Sequence, residues 1–273
     1  MNSSNLTFTE ALGLVRQPFD KNLPARQLFH SHQIKELFQA LKLFLGRRGI
    51  AMVTGEIGAG KSTAIRAFTE SLEPTHYDIA YIHDPTIGMR GILNAMAIQL
   101  NLEAGYFKWQ LLEKLKQTIE KNAANFNKTT LLIIDEAQLL TTRVLEELRM
   151  FTNFKIDSAS PLNLILLGQP ELNKIIRLNS LKALFQRINC RYHLTGLEAG
   201  EICGYIAHHM RIAGRTDSLF AEEVITEIFQ QAQGIPRVIN KLAYDCLLEI
   251  FQQNKNQVTN DILEIVLVKW DFR

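Results

Sequence analysis

One octapeptide narrows the folds open to this chain more than any other stretch. It is Gly55-Glu56-Ile57-Gly58-Ala59-Gly60-Lys61-Ser62, set between the β-prone run IAMVT and an amphipathic helical pattern. The spacing G-x-x-x-x-G-K-[ST] between a strand and a helix is that of a phosphate-cradling loop. Glycines at 55, 58 and 60 let the backbone curl with its N–H groups facing an anion, and the following helix adds its positive N-terminal end. Lys61 supplies a mobile cation for β- and γ-phosphates, and the Ser62 hydroxyl is a ligand for magnesium. The expected cofactors are ATP and Mg2+, held by Gly55, Glu56, Ile57, Gly58, Ala59, Gly60, Lys61, Ser62 and Thr63.

Around this loop, from residue 50 to 194, short apolar runs alternate with helical patterns, the rhythm of a parallel sheet covered by helices on both faces. The predicted strands are Ile50–Thr54, Tyr77–Ile82, Thr130–Asp135, Leu162–Leu167 and Cys190–Leu194. Runs such as LLIID and LNLILLG are apolar at successive positions, as in strands buried on both faces. After residue 197 four helical patterns follow one another with no strand between them. The expected architecture is therefore α/β: a five-stranded parallel sheet with helices on both faces, then a C-terminal helical lid. The boundaries predict an extended arm over 1–31, with Pro18 and Pro24, laid on the core or on a neighbouring subunit. The nucleotide-binding domain follows over 32–196, and the lid over 197–273.

Composition excludes several classes. With 47% hydrophobic and 21% charged residues, the chain is an ordinary soluble one rather than disordered. No apolar run approaches the roughly 20 residues of a membrane span, and the start MNSSNLTFTE lacks a secretory pattern, so no membrane insertion and a cytoplasmic address are expected. Cys190, Cys203 and Cys246 are odd in number and lack C-x-x-C spacing, which fits neither disulfides nor zinc. His208 and His209 point about 100° apart on a helix and make a poor pair of ligands. Residues 1–196 carry 23 Lys and Arg against 17 Asp and Glu, and residues 197–273 carry 7 against 11, so any basic partner face lies in the first part.

The run Leu131-Leu132-Ile133-Ile134 ends in Asp135-Glu136, two carboxylates at the C-terminal end of a buried strand, where open α/β sheets place their ligands. Asp135 is expected to hold magnesium through its water shell, and Glu136 to polarise the water that attacks the γ-phosphate. The next strand runs into Gly168-Gln169-Pro170, which puts the Gln169 amide beside that water; a cap on the following helix is the alternative. Arg187 and Arg191 flank the start of the last strand, where one of them is a candidate to reach a neighbour's ATP, surface ion pairs being the alternative. In Gly234-Ile235-Pro236-Arg237, Arg237 opens a lid helix and is a candidate to fold back on the phosphates.

Taken together, Gln17-Pro18-Phe19, TGEIGAGKST, IIDEAQLL with LEELRMFTNF, GQPEL, QRINCRYHL and GIPRVIN resemble the ExeA/GspA-like AAA+ ATPases, over about residues 12 to 250. The resemblance matches Asp135 and Glu136 to Walker B, Gln169 to sensor 1, Arg187 to the arginine finger and Arg237 to sensor 2, with Arg191 a second finger candidate. The family includes secretion and pilus-assembly ATPases, some of which continue into a transmembrane helix and a peptidoglycan-binding part that this chain is expected to lack. Short members are similar to the transposon helpers TniB, TnsC, MuB and IstB. The resemblance implies slow hydrolysis of ATP to ADP and phosphate, an ATP-dependent homo-oligomer in the form of a ring or helical filament, and stimulation by assembly or DNA. It also implies that the segment after the second strand faces a central channel. Thr86, Arg90, Lys108, Lys114 and Lys116 are then the candidates for largely sequence-independent contacts to duplex DNA. The leading expectation is a transposition helper that recruits or activates a transposase. The alternatives are a secretion or type IV pilus assembly ATPase of the ExeA/MshM kind and a nucleotide-gated switch that barely hydrolyses.

Overall fold

The computed structural model describes residues 7–20, 23–103, 107–154 and 160–271. Of the expected arm and lid, residues 1–6, 21–22 and 272–273 lie outside the described residues. The chain divides into two compact units, one of residues 34–57 and 61–194, the other of residues 1–33, 58–60 and 195–273.

A single turn, α1 (Phe8–Ala11), opens the chain, and α2 (His32–Arg47) leads into the sheet. Five strands follow: β1 (Ile50–Gly55), β2 (Tyr77–Ile82), β3 (Thr129–Ile134), β4 (Leu162–Gly168) and β5 (Ile188–Leu194). Between them run α3 (Lys61–Glu70), α4 (Gly88–Gln99), α5 (Lys108–Phe126), α6 (Thr142–Phe151), α7 (Glu171–Ile176) and α8 (Lys182–Arg187). All strands are parallel, in the order β2-β3-β4-β1-β5. This is the predicted α/β sheet.

Burial explains the order. β1 and β4 are buried at every residue and β3 at all but its first, because helices cover both faces of the middle of the sheet. β2 and β5, at the edges, mix buried and partly exposed positions and tolerate Asp78, Arg191 and His193. The core of this unit joins Leu132, Ile134, Leu164 and Leu166 of the sheet to Ile92, Leu115 and Leu148 of the helices. Each such side chain contributes about 1.5–3 kcal/mol relative to exposure.

The second unit is helical: α9 (Ile202–Ile212), α10 (Glu222–Ala232), α11 (Pro236–Gln252) and α12 (Asn260–Asp271). Val224, Ile228, Leu242, Leu247, Ile250 and Ile262 fill its centre. α9 and α10 end at Gly214 and Gly234, both with positive φ, and Pro236 starts α11 at a position whose N–H the helix does not need.

The expected extended arm is partly helical and belongs to this helical unit. Thr7 and Glu10 form a reciprocal capping box around α1, which is why so short a turn holds. Leu12, Leu14 and Phe19 are buried in the helical core. The Val15 N–H donates to the Ala213 carbonyl at 2.7 Å, Arg16 Nε to Ile212 O at 2.8 Å, and Gln17 Nε2 to the Tyr244 hydroxyl at 2.7 Å. Phe19 stacks on the buried His209 ring with centroids 5.1 Å apart. Among the described residues no helix is long and apolar enough to cross a membrane.

Candidate nucleotide site

The strand order places β4 between β1 and β3, so the ends of three adjacent parallel strands open on the same side. The ends of β1 and β3 stand roughly two strand spacings apart, about 10 Å. Gly55 ends β1 in register with Leu194, and a Cβ there would lie 2.4 Å from the Leu194 carbonyl oxygen, so only glycine fits. Lys61, buried at the start of α3, donates from Nζ to the Gly55 carbonyl at 2.7 Å and the Glu56 carbonyl at 3.0 Å. Those bonds satisfy an ammonium that burial would otherwise penalise, and they tie the loop back over its own helix. Glu56 and Ile57 stand exposed at the loop's outer rim, whereas Ala59 is buried. Residues 58–60 group with the helical unit, where Gly58 O accepts the Arg237 backbone N–H at 3.3 Å. Arg237 is the second residue of α11, with its side chain exposed.

The first turn of α3 brings Ser62 and Thr63 past the cradle, and Ser62 Oγ donates to Asp135 Oδ2 at 2.7 Å. The same oxygen accepts the Tyr81 hydroxyl, and Oδ1 accepts the Glu136 N–H at 2.9 Å. Asp135 is buried, and these three donors fix its orientation. Burial, and then the bond to Asp135, raise the Tyr81 phenol above its usual range, which keeps it a donor. A hydroxyl and a carboxylate this close form an oxygen-only donor pair of the kind Mg2+ takes, with waters and phosphates completing its shell, so the residues present fit that ion.

Glu136 follows with φ 50°, in the left-handed region, and caps a one-turn 3-10 helix, Ala137–Leu139. That turn aims Gln138 back at it, and Gln138 Nε2 donates to Glu136 Oε2 at 2.5 Å. Gln169 Nε2 reaches the same oxygen at 3.3 Å, while its backbone N–H donates to Gln138 Oε1 at 3.1 Å. The Gln169 side chain thus turns to the acidic pair and does not cap α7. Lys61, Ser62, Asp135, Glu136 and Gln169 all lie within the α/β unit.

The two finger candidates are engaged elsewhere in that unit. Arg187 Nη1 donates to Asn153 Oδ1, and Arg191 donates to Phe185 O at 2.7 Å with its guanidinium 3.8 Å from the Phe185 ring centre. Thr86 folds back on Asp84, both its N–H and its hydroxyl donating to Oδ1, and Arg90 is exposed on α4. Lys108 pairs with Glu147 at 2.5 Å, Lys114 with Glu103 at 3.8 Å, and Lys116 donates to Asn153 O at 3.2 Å. These three of the α5 lysines therefore have partners within their own unit.

Two residues of this site were not foreseen. Tyr81 lies on β2, in register with Ile133, so only knowledge that β2 neighbours β3 would have pointed to it. Gln138 stands in the IIDEAQLL run already singled out, two residues past the acidic pair.

A family model of an AAA domain matches residues 45–176. General secretion pathway protein A of Aeromonas hydrophila is 31% identical over 258 residues, covering 93% of this chain and 46% of that protein. The chain thus spans about half the length of the curated relative it matches. Among solved structures, the ORC2 protein of Aeropyrum pernix in ADPNP-ADP complexes is similar with TM-score 0.66 at 15% identity, over 90% of this chain and 69% of that one. Drosophila ORC bound to DNA is similar with TM-score 0.64 at 15% identity, over 98% and 67%. Residues 45–176 thus match an AAA domain, and the chain has the P-loop NTPase fold, a five-stranded parallel sheet with flanking helices and a helical C-terminal part.

Proposed function

We propose that this chain hydrolyses ATP to ADP and phosphate, assembles with ATP on duplex DNA, and serves as a helper that recruits or activates a transposase. The observation that carries hydrolysis is the pairing of Ser62 with Asp135 next to the pairing of Glu136 with Gln169. In this reading Lys61 exchanges its two carbonyl partners for β- and γ-phosphate oxygens. Ser62 and Asp135 would hold Mg2+, which would supply positive charge to offset that of those oxygens. Glu136 accepts hydrogen-bonding from the attacking water, whose oxygen bonds to the γ-phosphorus as the bond to the bridging oxygen breaks and ADP leaves. Gln169 reads the γ-phosphate, Arg187 or Arg191 completes a neighbour's site, and Arg237 couples the lid to nucleotide state. The arm, nucleotide-binding domain and lid are 1–31, 32–196 and 197–273, acting in the cytoplasm.

Support for the DNA reading comes from the resemblance to TniB, TnsC, MuB and IstB and from the similarity to a DNA-bound ORC. Thr86 and Arg90 are exposed candidates for phosphate contacts, and Lys108, Lys114 and Lys116 are candidates that have partners within their own unit. One observation favours a second reading, an assembly ATPase of a secretion system or type IV pilus: the relative at 31% identity carries a secretion name.

Gel shifts with random duplex DNA at moderate salt, with and without a slowly hydrolysed ATP analogue, separate the two. An analogue-dependent shift is expected, and its absence leaves the secretion reading. Steady-state turnover with DNA tests hydrolysis: Glu136→Gln should fall by roughly a hundredfold or more while still binding ATP. A parent already as slow as that variant would mark a switch that signals by binding alone.

A further inference from the structure

The Gln138 side chain touches both the acidic pair and the loop after β4. Its Nε2 donates to Glu136 Oε2 at 2.5 Å, and its Oε1 accepts the Gln169 backbone N–H at 3.1 Å. By contrast, the direct tie from Gln169 Nε2 to Glu136 is long, at 3.3 Å. Space for this arrangement is reserved in the backbone. A Cβ at residue 168 would stand 2.9 Å from Gln138 Oε1 and 2.8 Å from Leu172 Cδ2, so the glycine that ends β4 lets the amide lie against the strand end. The left-handed turn at Glu136 and the 3-10 turn after it bend the chain back so that residues 136 and 138 face one another.

We infer that Gln138 is a positioning residue for ATP hydrolysis, an amide brace that holds the Glu136 carboxylate at a fixed distance from the loop of Gln169. The inference rests on the hydrolytic reading given above and adds a role within it. Both amide donors converge on Oε2, which leaves Oε1, to which no other described residue donates, as the oxygen that meets the attacking water. When a γ-phosphate draws the Gln169 side chain away, the long bond is given up and Glu136 keeps one amide partner, Gln138. The brace stays anchored because it grips residue 169 by the backbone and not by the side chain. An aliphatic side chain of equal length would fill the same volume and hold neither end. Glutamine donates and accepts without titrating, which suits a contact made to a carboxylate.

The test is turnover by the full chain at saturating Mg-ATP with random duplex DNA, for the parent, Gln138→Ala, Gln138→Met and Glu136→Gln, alongside calorimetric binding of a slowly hydrolysed analogue. Both Gln138 variants should lose roughly ten- to a hundredfold in kcat, the scale of a misplaced reacting group, with analogue affinity held within about threefold. In single-turnover measurements on the Glu136→Gln background, Gln138→Ala should add no further loss, because the brace acts only through that carboxylate. Turnover of either variant at the parent's rate overturns the inference. So does rescue by Met of a loss seen in Ala, which would make the role one of packing, or a fall in analogue affinity that parallels kcat. A parent with no turnover at all brings down the hydrolytic reading and this inference together, and is told apart by the parent measurement alone.

Discussion

Gly55 shows how little freedom the cradle leaves its residues. With its missing Cβ 2.4 Å from a backbone oxygen of the neighbouring strand, Gly55→Ala must push β1 and β5 apart. A loss of about 1–3 kcal/mol in denaturant unfolding is expected, as for other overpacked sites, and an alanine variant as stable as the parent would contradict the register described. Lys61→Ala should abolish measurable nucleotide binding in calorimetry. It removes the cation and leaves the Gly55 and Glu56 carbonyls without their ammonium donor. The parts of the site carried by contiguous residues were legible in the sequence, because a strand end fixes where Gly55 or Asp135 must point. Tyr81 and Gln138 were not. The first depends on which strands are neighbours, and the second on a left-handed backbone at a glutamate, a conformation that residue type does not announce.

Strands that run through the middle of the sheet announce themselves and their edges do not. LLII and LNLILLG are apolar without alternation because both faces are covered, and Leu164→Ala on β4 should cost about 2–5 kcal/mol in chemical denaturation. The expected ends of β1, β3, β4 and β5 differ from those observed by a residue or two, since the ladder continues until the chain turns. The order β2-β3-β4-β1-β5 was beyond the sequence because crossovers separate neighbours in space from neighbours in the chain. The turn α1 escaped because four residues carry no helical periodicity, although the Thr7-x-x-Glu10 spacing was a readable capping signal. Lys108, Lys114 and Lys116 of α5 stood in the sequence as a basic series, yet glutamates at 147 and 103 and a carbonyl at 153 meet them in the fold.

The helical unit carries a buried imidazole that ties stability to pH. Burial, and then the nearby His208, lower the His209 pKa to about 4, against an unfolded value near 6.5. Between those values the unfolded chain binds a proton that the folded one refuses. Stability is therefore full above about pH 6.5 and falls as pH drops towards 4, by up to about 3 kcal/mol. Denaturation curves at pH 7 and 4.5 measure this, and His209→Phe should flatten the difference. If a neighbour's arginine completes each site, ATP turnover per molecule should rise with protein concentration, and a specific rate unchanged on dilution would exclude that arrangement. Leu12, Leu14 and Phe19 also have a practical consequence. Anyone who trims the protein to begin at His32 strips three greasy plugs from their furrow, and light scattering should find the shortened molecule clumping at concentrations where the full chain stays dispersed.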